Sequence, residues 1–116
     1  MNSKIKGILE KRKIVLIEHI RLDRNCLGDP FLSQFMEGRV EQEESWLEET
    51  DKLLTTLFDT KELIEILQNR RAILKTLIVD AKSRFNGADG QTMRGKTVVN
   101  NHWLEETEDL IGLLDK

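Results

Sequence analysis

One cysteine, one proline, no tyrosine and no long apolar run mark this chain of 116 residues. Cys26 stands alone, so an intrachain disulfide is excluded and a reducing, cytoplasmic setting is expected. The apolar run Ile14–Ile17 ends at Glu18 and His19, too short for the core of a secretory signal. Nothing approaches the roughly 20 apolar residues that cross a bilayer, so no membrane partner is expected. His19 and His102 are far apart and belong to no ligand spacing, so no metal site and no cofactor are expected. No histidine neighbours Cys26, which leaves it without a base, and a non-enzymatic protein is expected.

What is present is charge and repetition. Charged residues make up 34% of the chain and apolar residues 39%, a helix-rich globular profile rather than a disordered one. The segment Trp46-Leu47-Glu48-Glu49-Thr50 recurs as Trp103-Leu104-Glu105-Glu106-Thr107. The same offset of 57 pairs Met36 with Met93, Gly38 with Gly95 and Arg39 with Lys96. An offset of 58 pairs Ile5, Leu9, Arg12, Lys13 and Leu16 with Leu63, Leu67, Arg70, Arg71 and Leu74. A tandem duplication, approximately residues 1–58 and 59–116 of one domain, is the simplest account.

Each half reads as two helices. Apolar residues at 5, 8, 9, 15, 16 and 20 form a helical stripe that Ser3 can cap. Asp29-Pro30 opens a second helix reaching about residue 57, with Leu32, Phe35, Met36, Trp46 and Leu53 inward. Asp59-Thr60-Lys61-Glu62 has the form of a capping box for a third helix, carrying Leu63, Leu67, Ile73, Leu74 and Leu77 inward. Asn86-Gly87 supplies a left-handed stop, and Asp89 caps a fourth helix. The expectation is an all-α, bundle-like fold of four helices, near 3–25, 30–57, 60–86 and 90–115. It is formed by two tandem-duplicated antiparallel hairpins, with sequential helices as neighbours.

Gly90-Gln91-Thr92-Met93-Arg94-Gly95-Lys96-Thr97 matches the phosphate-loop pattern G-x-x-x-x-G-K-[ST]. That motif needs a buried strand before it, and the sequence offers a helix. Gly95-Lys96 also repeats Gly38-Arg39, which sits within a helix. Gly95, Lys96 and Thr97 are therefore expected to be helical. Gly38 and Gly95 then mark close helix approach, or else a notch for a partner's side chain. Trp46 and Trp103 are expected as helix contacts in the core.

Arg12 and Arg70 fall on the apolar stripes, each followed by a second base, Lys13 and Arg71. The next helix in each half breaks its stripe, at Arg39, Gln42 and Glu43 and at Asn100 and Asn101. Folding each hairpin about its turn puts Arg12 near Glu43 or Glu44, and Arg70 near 101–105. A polar layer in each hairpin follows, serving register or a partner contact.

The quarters of the chain alternate in sign, +4, −6, +2 and −3, which suits basic helices lying beside acidic ones. Leu63–Arg71, Met93-Arg94-Gly95-Lys96, Trp103-Leu104 and Leu110-Ile111 give a basic helix, a small-residue step and a terminal leucine cluster. This pattern resembles short helical-hairpin proteins of phages and mobile elements. The resemblance implies a small assembly or regulatory protein without catalytic residues. The functional expectation is a protein–protein interaction module with a protein partner or a second copy of itself. The alternative is a nucleic-acid-associated protein using Lys4, Lys6, Lys11, Arg12, Lys13, Arg21 and Arg24. A third reading is nucleotide binding through residues 90–97.

Overall fold

Apolar periodicity and one well-placed cap explain most of the architecture. Asp59 sits in extended conformation, and its carboxylate accepts the backbone N–H of Glu62 at 3.0 Å, starting a helix where the sequence places one. The computed structural model describes residues 2–115. Its helices are α1 (Asn2–Asn25), α2 (Ser33–Leu54), α3 (Thr60–Ser83) and α4 (Gly90–Leu114). The fold is all-α, with no strand among the described residues.

Several helix ends differ from the sequence expectation. Helix α1 is already helical at Asn2, so Ser3 lies inside it rather than capping it. Asp29 caps a turn rather than α2: its side chain accepts from Phe31 N and its carbonyl from Ser33 N. Pro30 lies in that turn, and α2 starts three residues later. Helix α2 stops at Leu54, and the Thr55 and Thr56 hydroxyls that follow donate to the carbonyl of Lys52. No left-handed residue ends α3; among the described residues no φ is positive. Successive short turns through Arg84, Phe85 and Gly87 carry the chain into α4 instead. Asp89 starts α4 without a side-chain cap, its carboxylate being held by Arg84.

Within each half the helices are antiparallel. Lys13 reaches Asp51 at 2.8 Å and Arg24 reaches Glu44 at 2.6 Å, so rising numbers on α1 meet falling numbers on α2. Helices α2 and α4 run parallel at the centre. Gln42 meets Asn100 at 2.8 Å, and Trp46 stacks on Trp103. The main interfaces are α1 on α2, α2 on α4 and α4 on α3; α2 and α3, though consecutive, make no extensive backbone approach. Sequential adjacency therefore fails at that step, because α2 is taken up by its counterpart α4.

The α2–α4 seam depends on two glycines. A Cβ on Gly38 would overlap the carbonyl oxygen of Thr92 and lie 3.0 Å from Lys96 N. A Cβ on Gly95 would overlap the carbonyl oxygen of Phe35 and lie 3.1 Å from Arg39 N. Phe35 and Thr92 are themselves counterparts at the 57-residue offset, so the two halves make the same contact reciprocally. Beyond the seam the helices splay enough to admit side chains. Leu9, Leu53, Leu67 and Leu110, one from each helix, are 1–4% exposed in the larger apolar cluster. Burying each such leucine contributes about 1.5–3 kcal/mol.

Three residues placed inward by the stripe reading are exposed: Leu32, Ile73 and Leu77, at 42%, 38% and 39%. Leu32 lies ahead of α2, outside its periodicity. Ile73 and Leu77 fall on the shoulder of a stripe whose centre is taken by Leu67, Leu74 and Ile78.

Candidate functional site

The centre of the molecule is a four-member stack. The guanidinium of Arg12 lies 4.6 Å from the centroid of Trp46. Trp46 stacks on Trp103 with centroids 5.7 Å apart and planes at 11°. Arg70 lies 4.6 Å from the centroid of Trp103. A cation over an indole face is attracted by the ring's negative centre, so each tryptophan is held by a cation on one face and a ring on the other. Thr50 and Thr107 repeat as well, each donating to the carbonyl of its own tryptophan at 2.8 Å.

The arginines are held by carboxylates, but not those expected. Arg12 Nε donates to Glu106 at 2.8 Å, and Arg70 Nε donates to Glu49 at 2.6 Å. Each bond crosses from one hairpin to the other. The expected height is right, since Arg12 sits over Trp46 and Arg70 over Trp103. Arg70 lies near 101–105 as expected, through Trp103, but its carboxylate is Glu49, and Arg12 is held by Glu106 rather than by Glu43 or Glu44. Hairpin geometry alone omits the second hairpin, whose carboxylate approaches the guanidinium from the open side. Glu44 pairs with Arg24 instead. Lys13 pairs with Asp51, Arg71 is half-buried, and Asn101 is exposed. The buried amide is its neighbour Asn100, 1% exposed.

Below the stack's symmetry the halves differ. Glu43 is 2% exposed, and its counterpart is Asn100. Arg39 donates to Asp23 at 3.1 Å and lies 3.8 Å from Glu43. Asp23 and Glu43 thus flank one guanidinium, and Glu43 Oε1 has no donor. Together with Arg12 and Trp46 from below, Glu43 forms the floor of a groove of about 370 Å³ between α1 and α4. His19 lines one wall; His102, Glu105 and Asp109 line the other.

Burial and the facing Asp23 carboxyl push the Glu43 carboxyl up to about 8, outweighing Arg39. Burial also raises Glu49, although Arg70 works against it. A carboxyl raised in the folded state holds its proton while the unfolded chain releases it. Its contribution to stability is complete below the unfolded value and is lost as pH rises through the folded one. Stability is therefore expected to fall between about pH 4.5 and pH 8. The groove relaxing around an ionised carboxylate absorbs part of the shift, leaving a loss on the order of 2 kcal/mol. Urea midpoints across that range test this. Glu43→Gln should flatten the profile, and an unchanged slope in that variant would refute the assignment.

Residues 90–97 belong to α4 from its first residue. Thr97 is buried and donates to the Met93 carbonyl at 2.8 Å, while Lys96 reaches Glu41 at 3.3 Å. As expected, Gly95, Lys96 and Thr97 are helical, and this stretch does not have the form of a phosphate loop. The basic first helix is largely neutralised: Lys6, Arg12, Lys13, Arg21 and Arg24 each lie against a carboxylate. Lys4 and Lys11 are exposed. Among the described residues, no three potential metal-ligating side chains cluster, and no helix is long and apolar enough to cross a membrane.

Glu49, Glu106 and Asp23 were missed from the sequence as site residues, whereas Asn100 was read there as part of the polar break in its helix. One signal was available: Glu49 and Glu106 are an identical pair at the 57-residue offset, as Arg12 and Arg70 are at 58. Asp23 carries no such signal, since its counterpart is Ala81. No protein-family model, curated protein or solved structure matches this chain.

Proposed function

We propose that this chain is a non-enzymatic interaction module, a small assembly or regulatory protein that engages a protein partner through the outer faces of its flanking helices in a cytoplasmic setting. The observation that carries this reading is the apolar surface the fold leaves unused. Ile14 and Ile17 on α1 are 70% and 50% exposed, and Val79 on α3 is 70% exposed. Leu77 and Ile73 are also exposed, on the flank of α3 beside the core stripe. Internal packing does not require these residues, and grouped apolar side chains on a helix face mark interaction surfaces. The nucleic-acid alternative has less to rest on, because ion pairs take up most of the α1 charge.

The test compares the chain with Ile14→Glu/Ile17→Glu and Val79→Glu. These exposed sites should change stability by no more than about 0.5 kcal/mol. Partners recovered on the tagged chain, or self-association seen by sedimentation, should be lost in at least one variant. Retention of every contact in both, with folding intact, would overturn the assignment to these faces.

A further inference from the structure

We propose that the groove between α1 and α4 is a binding site for an organic cation, an ammonium or guanidinium group that reaches Glu43 at its floor. The internal repeat provides the control. The two halves share the same backbone plan, so residues needed only for packing should have similar counterparts. In the second half, Ala81, Asn100 and Leu77 stand where the first has Asp23, Glu43 and His19. Ala81 and Asn100 are 3% and 1% exposed, and Gln42 satisfies the amide of Asn100. That arrangement folds without a buried acid. The first half instead sets two carboxyls around one guanidinium and leaves Glu43 Oε1 without a donor.

The charge of the groove selects the ligand. Arg12 is engaged by Glu106, and Arg39 by Asp23 and Glu43. Glu105 and Asp109 line the α4 wall one helical turn apart and form no ion pair among the described residues. The unmatched charge is therefore negative. A divalent metal is disfavoured, because no three ligating side chains converge among the described residues. An N–H donor on an alkyl or guanidino stem fits better. The stem can lie along Ile8 and Leu16 while the head meets Glu43.

Without such a donor, burial above all, together with the facing Asp23 carboxyl, keeps a proton on Glu43, whose carboxyl stands near 8. A cationic N–H can take that proton's place. Binding at neutral pH then releases a proton, which leaves Glu43 for the buffer as the new hydrogen bond forms. The charged and titratable groups lining the groove around the pair are Arg12 and His19 on α1, Arg39 on α2, and His102, Glu105, Glu106 and Asp109 on α4. None of them offers Glu43 Oε1 a hydrogen bond.

The experiment is calorimetric titration of the full chain at neutral pH with spermidine and with N-acetyl-arginine amide, each in two buffers of different ionisation enthalpy. Saturable binding with proton release is expected, weakened about tenfold or more in Glu43→Gln. Glu48→Gln, at the counterpart of Glu105 in the other half, should bind as the parent does. The triple variant His19→Leu/Asp23→Ala/Glu43→Asn imports the second half's residues. It should fold, as judged by its melting temperature, and fail to bind. Binding of spermidine alone would identify a free amine as the ligand; binding of the arginine derivative alone would identify a partner's basic side chain. No saturable binding of either probe overturns the proposal. So does equal binding by the parent and a folded Glu43→Gln or triple variant. Neither result bears on the outer apolar faces, which these substitutions leave intact.

Discussion

Gly38→Ala and Gly95→Ala are each expected to destabilise the protein by about 3 kcal/mol or more, toward the upper end of what overpacking does. The added methyl group meets backbone, not a side chain. At Gly38 it overlaps the Thr92 carbonyl, and at Gly95 that of Phe35. A side chain can rotate away, but a helical carbonyl moves only with its helix. Relief therefore means separating α2 from α4 along the seam that joins the halves. Gly7 and Gly112 are the controls, since a Cβ at either meets nothing within 4 Å. Alanine there removes glycine's entropic penalty within a helix and should stabilise by roughly 0.5–1 kcal/mol. Urea denaturation of the four variants should give opposite signs for the two pairs. If Gly38→Ala and Gly95→Ala behave like Gly7→Ala, the close seam is wrong.

The second large effect is expected at the central stack. Trp46→Ala and Trp103→Ala should each cost about 3–5 kcal/mol, the range for removing a buried aromatic. Trp103 is 2% exposed and Trp46 4%, and each loses both an indole partner and a cation over its face. Arg70→Ala should cost about 3 kcal/mol, because it leaves Glu49 buried without its cation. Arg12→Ala should cost less. The side chain of its partner Glu106 is 12% exposed, against 7% for Glu49, so water can better replace the lost bond. Lys4→Ala is the surface control. A cycle combining Arg70→Ala with Glu49→Gln should recover part of the loss, since the orphaned charge is then removed as well. Equal, small effects for both arginines would reduce the stack to surface contact. Loss of a partner without loss of stability would make them binding residues.

These expectations show what could be read in advance. The repeated Trp-Leu-Glu-Glu-Thr segment and the glycine pair identified the elements of the α2–α4 seam, because a duplicated chain tends to use a contact twice. Arg12 and Arg70 were legible as polar residues on apolar stripes. Their partners were not, because a hairpin folded in isolation offers Arg12 only the carboxylates of α2. The inward assignment of Ile73 and Leu77 failed for a related reason. Periodicity finds a stripe, but the width of that stripe actually covered depends on where the neighbouring helix lies.

The sequence by itself determined four helices, their hairpin pairing and the glycines and tryptophans that recur, since propensity, periodicity and repetition are local or self-comparing signals. Tertiary structure decided the rest. It made α2 and α4 parallel neighbours, carried the arginine bonds across hairpins, and gathered His19, Glu43 and His102 around one groove. Those outcomes depend on how two similar hairpins dock, and docking is fixed by backbone approach at Gly38 and Gly95 together with ring stacking at the centre. Neither quantity has a period along the chain.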